Sequence, residues 1–76
     1  MYTEKEQITF TLREDEEFIT LQNLLKVENI VATGGEAKYV IVDGLVQVNG
    51  ECESRRGRKL RAGDVVTFEN YEITVE

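Results

Sequence analysis

The side chains in this sequence best suited to chemistry are basic ones in a single short stretch. Arg55, Arg56, Arg58, Lys59 and Arg61 place five of the nine basic residues within seven positions. A guanidinium offers a planar fork of donors and an ammonium a compact charge, so such a run suits a polyanion, phosphates above all. The formal charge of the chain is −6, which counts against an anionic partner if charge is summed. Screening limits the attraction to about 8–10 Å, however, so a local basic cluster on an acidic body still holds a polyanion. The acidic remainder repels that partner elsewhere and orients the encounter. Lys26 and Lys38 lie outside the run and are candidates to share its face. The competing reading is a solvated loop whose cations pair with Glu51, Glu53 or Asp64.

A second feature concerns backbone. Thr33 and Glu36 form the S/T-x-x-E capping box of a helix, yet Gly34 and Gly35 stand between them. Each glycine in a helix sacrifices up to ~1 kcal/mol relative to alanine, so something requires a bare backbone there. Two explanations stay open. The exposed amides of the helix N-terminus could receive a phosphate, or the first helix or the hairpin could pack closely against them.

Other chemistries are poorly supplied. Histidine is absent and Cys52 is the single thiol, so neither a Cys/His metal site nor a Cys–His or Ser–His nucleophile pair can be assembled. The carboxylates lie in charge runs, and Gly34-Gly35 is too short for a P-loop or a dinucleotide fingerprint. The sequence therefore predicts no enzyme: no catalytic residue, metal, cofactor or small-molecule substrate.

The elements that must position the basic run can be read from periodicity. At 76 residues, with 41% hydrophobic and 32% charged residues, the chain has the size and composition of one small globular domain. No apolar run approaches the ~18 residues of a membrane span, and no secretory leader is evident at the N-terminus. One cysteine in so small a protein points to a reducing, cytoplasmic compartment. Ile8, Phe10 and Leu12 alternate with threonines, the pattern of a half-buried strand closing the segment 1–12. Residues 13–17 form a charged, mostly acidic turn.

Thr20 is a helix N-cap, with Ile19 and Leu24 spaced as a hydrophobic staple. Leu21, Leu24 and Leu25 make the apolar stripe of a first helix, which frays into a connection through Val27, Ile30 and Val31. Ala37, Val40 and Ile41 make the stripe of a second helix, and Gly44 is placed to end it in the left-handed region. The period then changes to two. Val46 and Val48 precede Asn49-Gly50, a strong hairpin turn, and residues 51–53 return. A strict two-residue turn would pair Val48 with Glu51 and put Cys52 on the face opposite the valines, so the register stays open. Residues 62–64 turn the chain into a strand over 65–68, and Asn70 turns it again into a last strand over 71–75. The expected fold is α+β: two helices packed on a small, mostly antiparallel sheet.

These segments, in this order, resemble a known family. Residues 21–26, Thr33-Gly34-Gly35-Glu36-Ala37-Lys38, Gly44-Leu45-Val46-Gln47-Val48-Asn49-Gly50-Glu51 and Gly63-Asp64-Val65-Val66 are together similar to the S4 RNA-binding domain. Glu53-Ser54-Arg55-Arg56 after the hairpin resembles the small, stand-alone bacterial members. The resemblance covers about residues 18–75 and implies a single domain over 1–76: an N-terminal strand and acidic turn (1–17) before an S4-like core with its αL motif (18–76). It implies an RNA-facing surface made by the two helices and the hairpin. On this chain that surface would include Lys26, Gly35, Lys38, Asn49, Arg55, Arg56 and Lys59, to which the charge run and the paired glycines add Gly34, Arg58 and Arg61. The implied partner is structured RNA, ribosomal or transfer, held mainly by shape and phosphate contact. Where many S4 domains carry a basic residue early in the second helix, this chain has Gly35.

A second resemblance is to the β-grasp sulfur carriers, through the leading strand, Thr-Leu-x-x-Leu-Leu, Val-Asn-Gly-Glu and Leu-x-x-Gly-Asp-x-Val-x-Phe. Those proteins use a C-terminal Gly-Gly. Here Ile73-Thr74-Val75-Glu76 stands at that place, so carrier chemistry is not expected. A rival function from another class is a protein–protein adaptor, docking an acidic partner on the basic loop or pairing the last strand edge to edge.

Overall fold

The computed structural model describes residues 5–76. Two short helices lie on one face of a five-stranded sheet. Strand β1 (Glu6–Phe10) is followed by β2 (Ile19–Thr20), α1 (Leu21–Val27), α2 (Gly34–Val42), β3 (Val46–Val48), β4 (Glu51–Cys52), β5 (Lys59–Leu60), β6 (Val65–Phe68) and β7 (Tyr71–Val75). The main sheet has the order β1-β7-β6-β3-β4, and β2 and β5 form a separate two-stranded ribbon. All pairings are antiparallel except β1 with β7. The expected α+β architecture is the one observed. Residues 1–4 of the expected N-terminal segment lie outside the described residues.

Each helix is bounded by the caps its sequence encodes. Thr20 Oγ1 accepts from the Asn23 N–H at 3.3 Å and Thr33 Oγ1 from the Glu36 N–H at 3.1 Å. Glu36 reaches back one residue beyond its cap, its Oε1 accepting from the Ala32 N–H. At the other end of α2, Gly44 takes φ +78 and donates to Ile41 O, while Leu45 donates to Val40 O. That pair of bonds is the Schellman closure. Helix α1 ends identically with asparagine in the glycine's role: Asn29 has φ +57, donates to Lys26 O, and Ile30 donates to Leu25 O.

The helical stripes and the sheet meet in one core. Leu21, Leu24, Leu25, Ala37 and Ile41 are fully buried against Val46, Val66, Ile73 and Val75. Leu60, on the β2–β5 ribbon, is equally buried. At about 25 cal/mol per Å² of apolar surface, this layer is the main stabilising term for so small a chain.

The structure also resolves the questions left open by periodicity. Val48 pairs with Glu51 and Gln47 with Cys52, the register of a strict two-residue turn, with Asn49 and Gly50 at φ +53 and +84. Positive φ at both positions is the type I′ geometry. Cys52 is exposed. Strand β7 is flanked on both sides, by β1 and β6. It has no unpaired edge, so the suggestion that it pairs with a partner's strand is wrong: its alternation showed a strand but not the neighbours that fill both its edges.

Candidate nucleic-acid interface

The basic run is not a loose loop. Lys59 and Leu60 form β5 and pair with Thr20 and Ile19. Ahead of that ribbon, the Leu21 N–H donates to Arg58 O and the Gln22 N–H to Arg56 O. The first backbone amides of α1 thus serve as a clasp for the segment carrying the cations. Two residues are too few to show a period, which is why this ribbon was invisible in the sequence.

The cations within the run have different duties. Glu53 is 7% exposed and fastens two of them. Arg55 donates from Nε and Nη2 to its two carboxylate oxygens, each at 3.0 Å, and Arg58 Nη1 donates at 2.8 Å. The Arg55 backbone N–H adds a further donor. The Arg55 side chain, with Arg58 assisting, holds the Glu53 carboxyl down at about 2 against the opposing effect of burial. Such charge-assisted bonds compensate the burial of the carboxylate. Lys59 and Arg61 instead lie over the Phe18 ring, with Nζ 5.0 Å and Cζ 5.8 Å from its centroid, within cation–π range. Arg56 makes no ion pair among the described residues and is exposed. The competing reading of the run was therefore half right: two arginines pair with an acid, and that acid is Glu53.

The paired glycines separate into two cases. A Cβ at Gly34 would lie 2.8 Å from Gln22 Nε2, whereas one at Gly35 would meet nothing nearer than Thr33 Oγ1 at 3.8 Å. Gly34 thus lets the flexible end of the Gln22 side chain rest on the backbone of α2. Gly35 has no packing neighbour that requires its bare backbone, and it is exposed. Gln22 is the residue the sequence did not flag. Its backbone N–H holds Arg56 O and its side chain lies against Gly34, so it brings the basic segment beside the N-terminus of α2.

Along α2, Gly35, Lys38, Tyr39 and Val42 follow the i, i+3, i+4, i+7 spacing of one face and line a shallow depression. Tyr39 and Val42 are 66% and 59% exposed. Tyr39 was also missed, though the signal was present: an aromatic residue off the Ala37–Val40–Ile41 stripe. Lys26 is exposed in the last turn of α1, on the side of Phe18 and Asn23. Asn49 is occupied within the fold. Its Oδ1 accepts from the Val65 N–H and its Nδ2 donates to Asp64 Oδ1, so it fixes the hairpin on β6.

Comparisons with known proteins bear on the family and the fold. The family model described as the S4 domain matches residues 10–76. The chain is a member of the S4 family. Among S4-family relatives, "Probable ribosome maturation protein RlbA" of Bacillus subtilis is 46% identical over 57 residues, covering 75% of this chain and 80% of its own. YbcJ of Escherichia coli is 37% identical over 57 residues, covering 75% of this chain and 81% of its own. The solution structure of YbcJ superposes with a TM-score of 0.67 at 32% identity, over 99% of this chain and 94% of that one, and is described as revealing an αL motif involved in RNA binding. Two helices on a mostly antiparallel sheet are thus the S4 architecture in both.

Proposed function

We propose that this S4-family protein is a non-enzymatic binder of structured RNA, ribosomal RNA foremost, working in the cytoplasm through phosphate contacts. The carrying observation is that Gln22 joins the clasped basic segment to the bare N-terminus of α2. Exposed backbone amides at a helix N-terminus and an adjacent row of cations form a phosphate-binding surface on a body that otherwise repels nucleic acid. The family membership, the RNA-binding motif ascribed to YbcJ and the ribosome-maturation name carried by RlbA all support this reading.

Within the surface, Arg56, Lys59, Arg61, Lys38 and the Gly35 backbone face the partner, with Lys26 at its margin. Arg55 and Arg58 shape the segment through Glu53 and present their remaining donors outward. Gly34 and Asn49 act through packing and the hairpin.

The test is a filter-binding or anisotropy titration against ribosomal RNA fragments with an Arg56→Glu/Lys59→Glu/Lys38→Glu variant. None of these side chains pairs with Glu53, so the variant should keep its fold by circular dichroism. Loss of binding in the folded variant is expected. Unchanged affinity would remove these residues from the interface.

A further inference from the structure

A cleft of about 710 Å³ opens not on α2 but beside α1, between the chain after β1 and strand β2. That lies within the usual range for small-ligand sites. Its walls include the half-buried rings of Phe10 and Phe18, and Asn23, Lys26 and Arg13 also line it. Its one carboxylate, Glu16, is taken up by Arg13, which donates to it from the backbone N–H at 2.9 Å and from Nε at 3.4 Å. Asn23 is exposed; its backbone N–H is committed to the Thr20 cap, and its side-chain amide makes no hydrogen bond among the described residues.

Two residues make this cleft continuous with the proposed interface. Lys26 belongs to both, and the Phe18 ring that walls the cleft also carries Lys59 and Arg61. An aromatic wall beside cations is the chemistry that receives an unstacked base together with its flanking phosphates. Phe10 also packs against the hydrophobic core, whereas Phe18 is half-buried without belonging to that cluster, so its ring is the one offered to a ligand.

We infer that the Phe10–Phe18 cleft receives an unpaired nucleobase from a loop or bulge of the bound RNA. Phe18 supplies the apolar wall, the Asn23 amide meets the base edge, and Lys26 and Arg13 hold the neighbouring phosphates. This rests on the RNA-binding reading and adds to it a base-contacting site.

The experiment uses the full chain and a single-stranded hexaribonucleotide carrying one 2-aminopurine, followed by fluorescence and by amide shifts in a ¹H–¹⁵N spectrum. Shifts at Phe18, Asn23 and Val27, with a change in 2-aminopurine emission, are expected. Phe18→Leu keeps an apolar side chain without the ring and should weaken binding roughly 5- to 160-fold, the range of one base–aromatic stack. Asn23→Ala, at an exposed position, should alter the affinity ranking among adenine-, uracil-, cytosine- and guanine-containing hexamers, and this readout decides the matter if Phe18→Leu fails to fold. Binding with shifts confined to α2 and residues 55–61, and variants equal to the parent, would overturn the cleft assignment while leaving the RNA reading intact. Absence of binding both to the hexamer and to ribosomal RNA fragments at low salt would overturn both.

Discussion

Glu53 and Arg58 form the shortest ion pair among the described residues, with Nη1 2.8 Å from Oε1. Arg55 bonds the same oxygen from Nη2 at 3.0 Å. One buried acid thereby sets the path of the segment that carries five cations. Replacing Glu53 by alanine should destabilise the chain by about 1.5–3 kcal/mol, the range for hydrogen bonds to charged groups. The outer arginine is largely exposed (71%), which places the effect toward the lower end. Urea denaturation of the variant checks this, and RNA affinity should fall with it because the segment loses its fixed shape.

Stability should depend on pH in acid. The Glu53 carboxyl is held at about 2 when folded, chiefly by the hydrogen bonds from Arg55, against an ordinary value of 4.5. A depressed folded value contributes stability that is complete above the unfolded value and is lost as pH falls through the folded one. The chain should therefore weaken progressively between about pH 4.5 and about 2. Asp64 acts in the same direction: burial opposes its ionisation, but the Arg61 backbone N–H and the Asn49 amide outweigh that and lower it. Denaturation midpoints measured across this window should vary less steeply for Glu53→Gln than for the parent.

The two glycines of α2 should answer differently to alanine. At Gly35 the added methyl meets only ordinary contact at 3.8 Å, so helix propensity should raise stability by up to about 1 kcal/mol. RNA affinity should drop as the methyl covers the backbone amides. At Gly34 the methyl would swing the flexible end of the Gln22 side chain aside from 2.8 Å at little cost, so much of the propensity gain should survive while the Gln22 contact is lost. Parallel thermal melts and RNA titrations separate these outcomes.

Arg56 and Arg58 should divide binding from stability. Arg56 makes no ion pair among the described residues, so Arg56→Ala should change stability by less than about 0.5 kcal/mol. If it contacts one phosphate, the slope of log affinity against log salt should shrink by about 0.7–0.9. Arg58→Ala removes a partner of Glu53 and should instead register first in the denaturation curve.

Asn49→Gly keeps a residue tolerant of the φ +53 backbone and the backbone bond to Val65 O but deletes the two side-chain bonds, to the Val65 N–H and to Asp64. A loss of about 1–2 kcal/mol is expected. RNA affinity of the folded variant should be unchanged, since the amide is spent inside the protein. A titration at low temperature distinguishes this from a direct RNA contact.

What the sequence determined by itself was local. The capping residues Thr20 and Thr33, the leucine and Ala37–Val40–Ile41 stripes, the Gly44 stop and the Asn49-Gly50 turn each act within a few residues, and each appears in the structure where its chemistry requires. The concentration of cations was equally legible, being a matter of composition. Tertiary structure alone decided what those cations do. That Glu53 rather than Glu51 is buried, that Lys59 and Arg61 meet Phe18, and that Gln22 clasps Arg56 beside Gly34 all depend on segments distant in sequence meeting in space. The β2–β5 ribbon shows the reason most plainly. Two residues carry no periodicity, and their pairing across about forty positions is imposed by the burial of Leu60 in the common core.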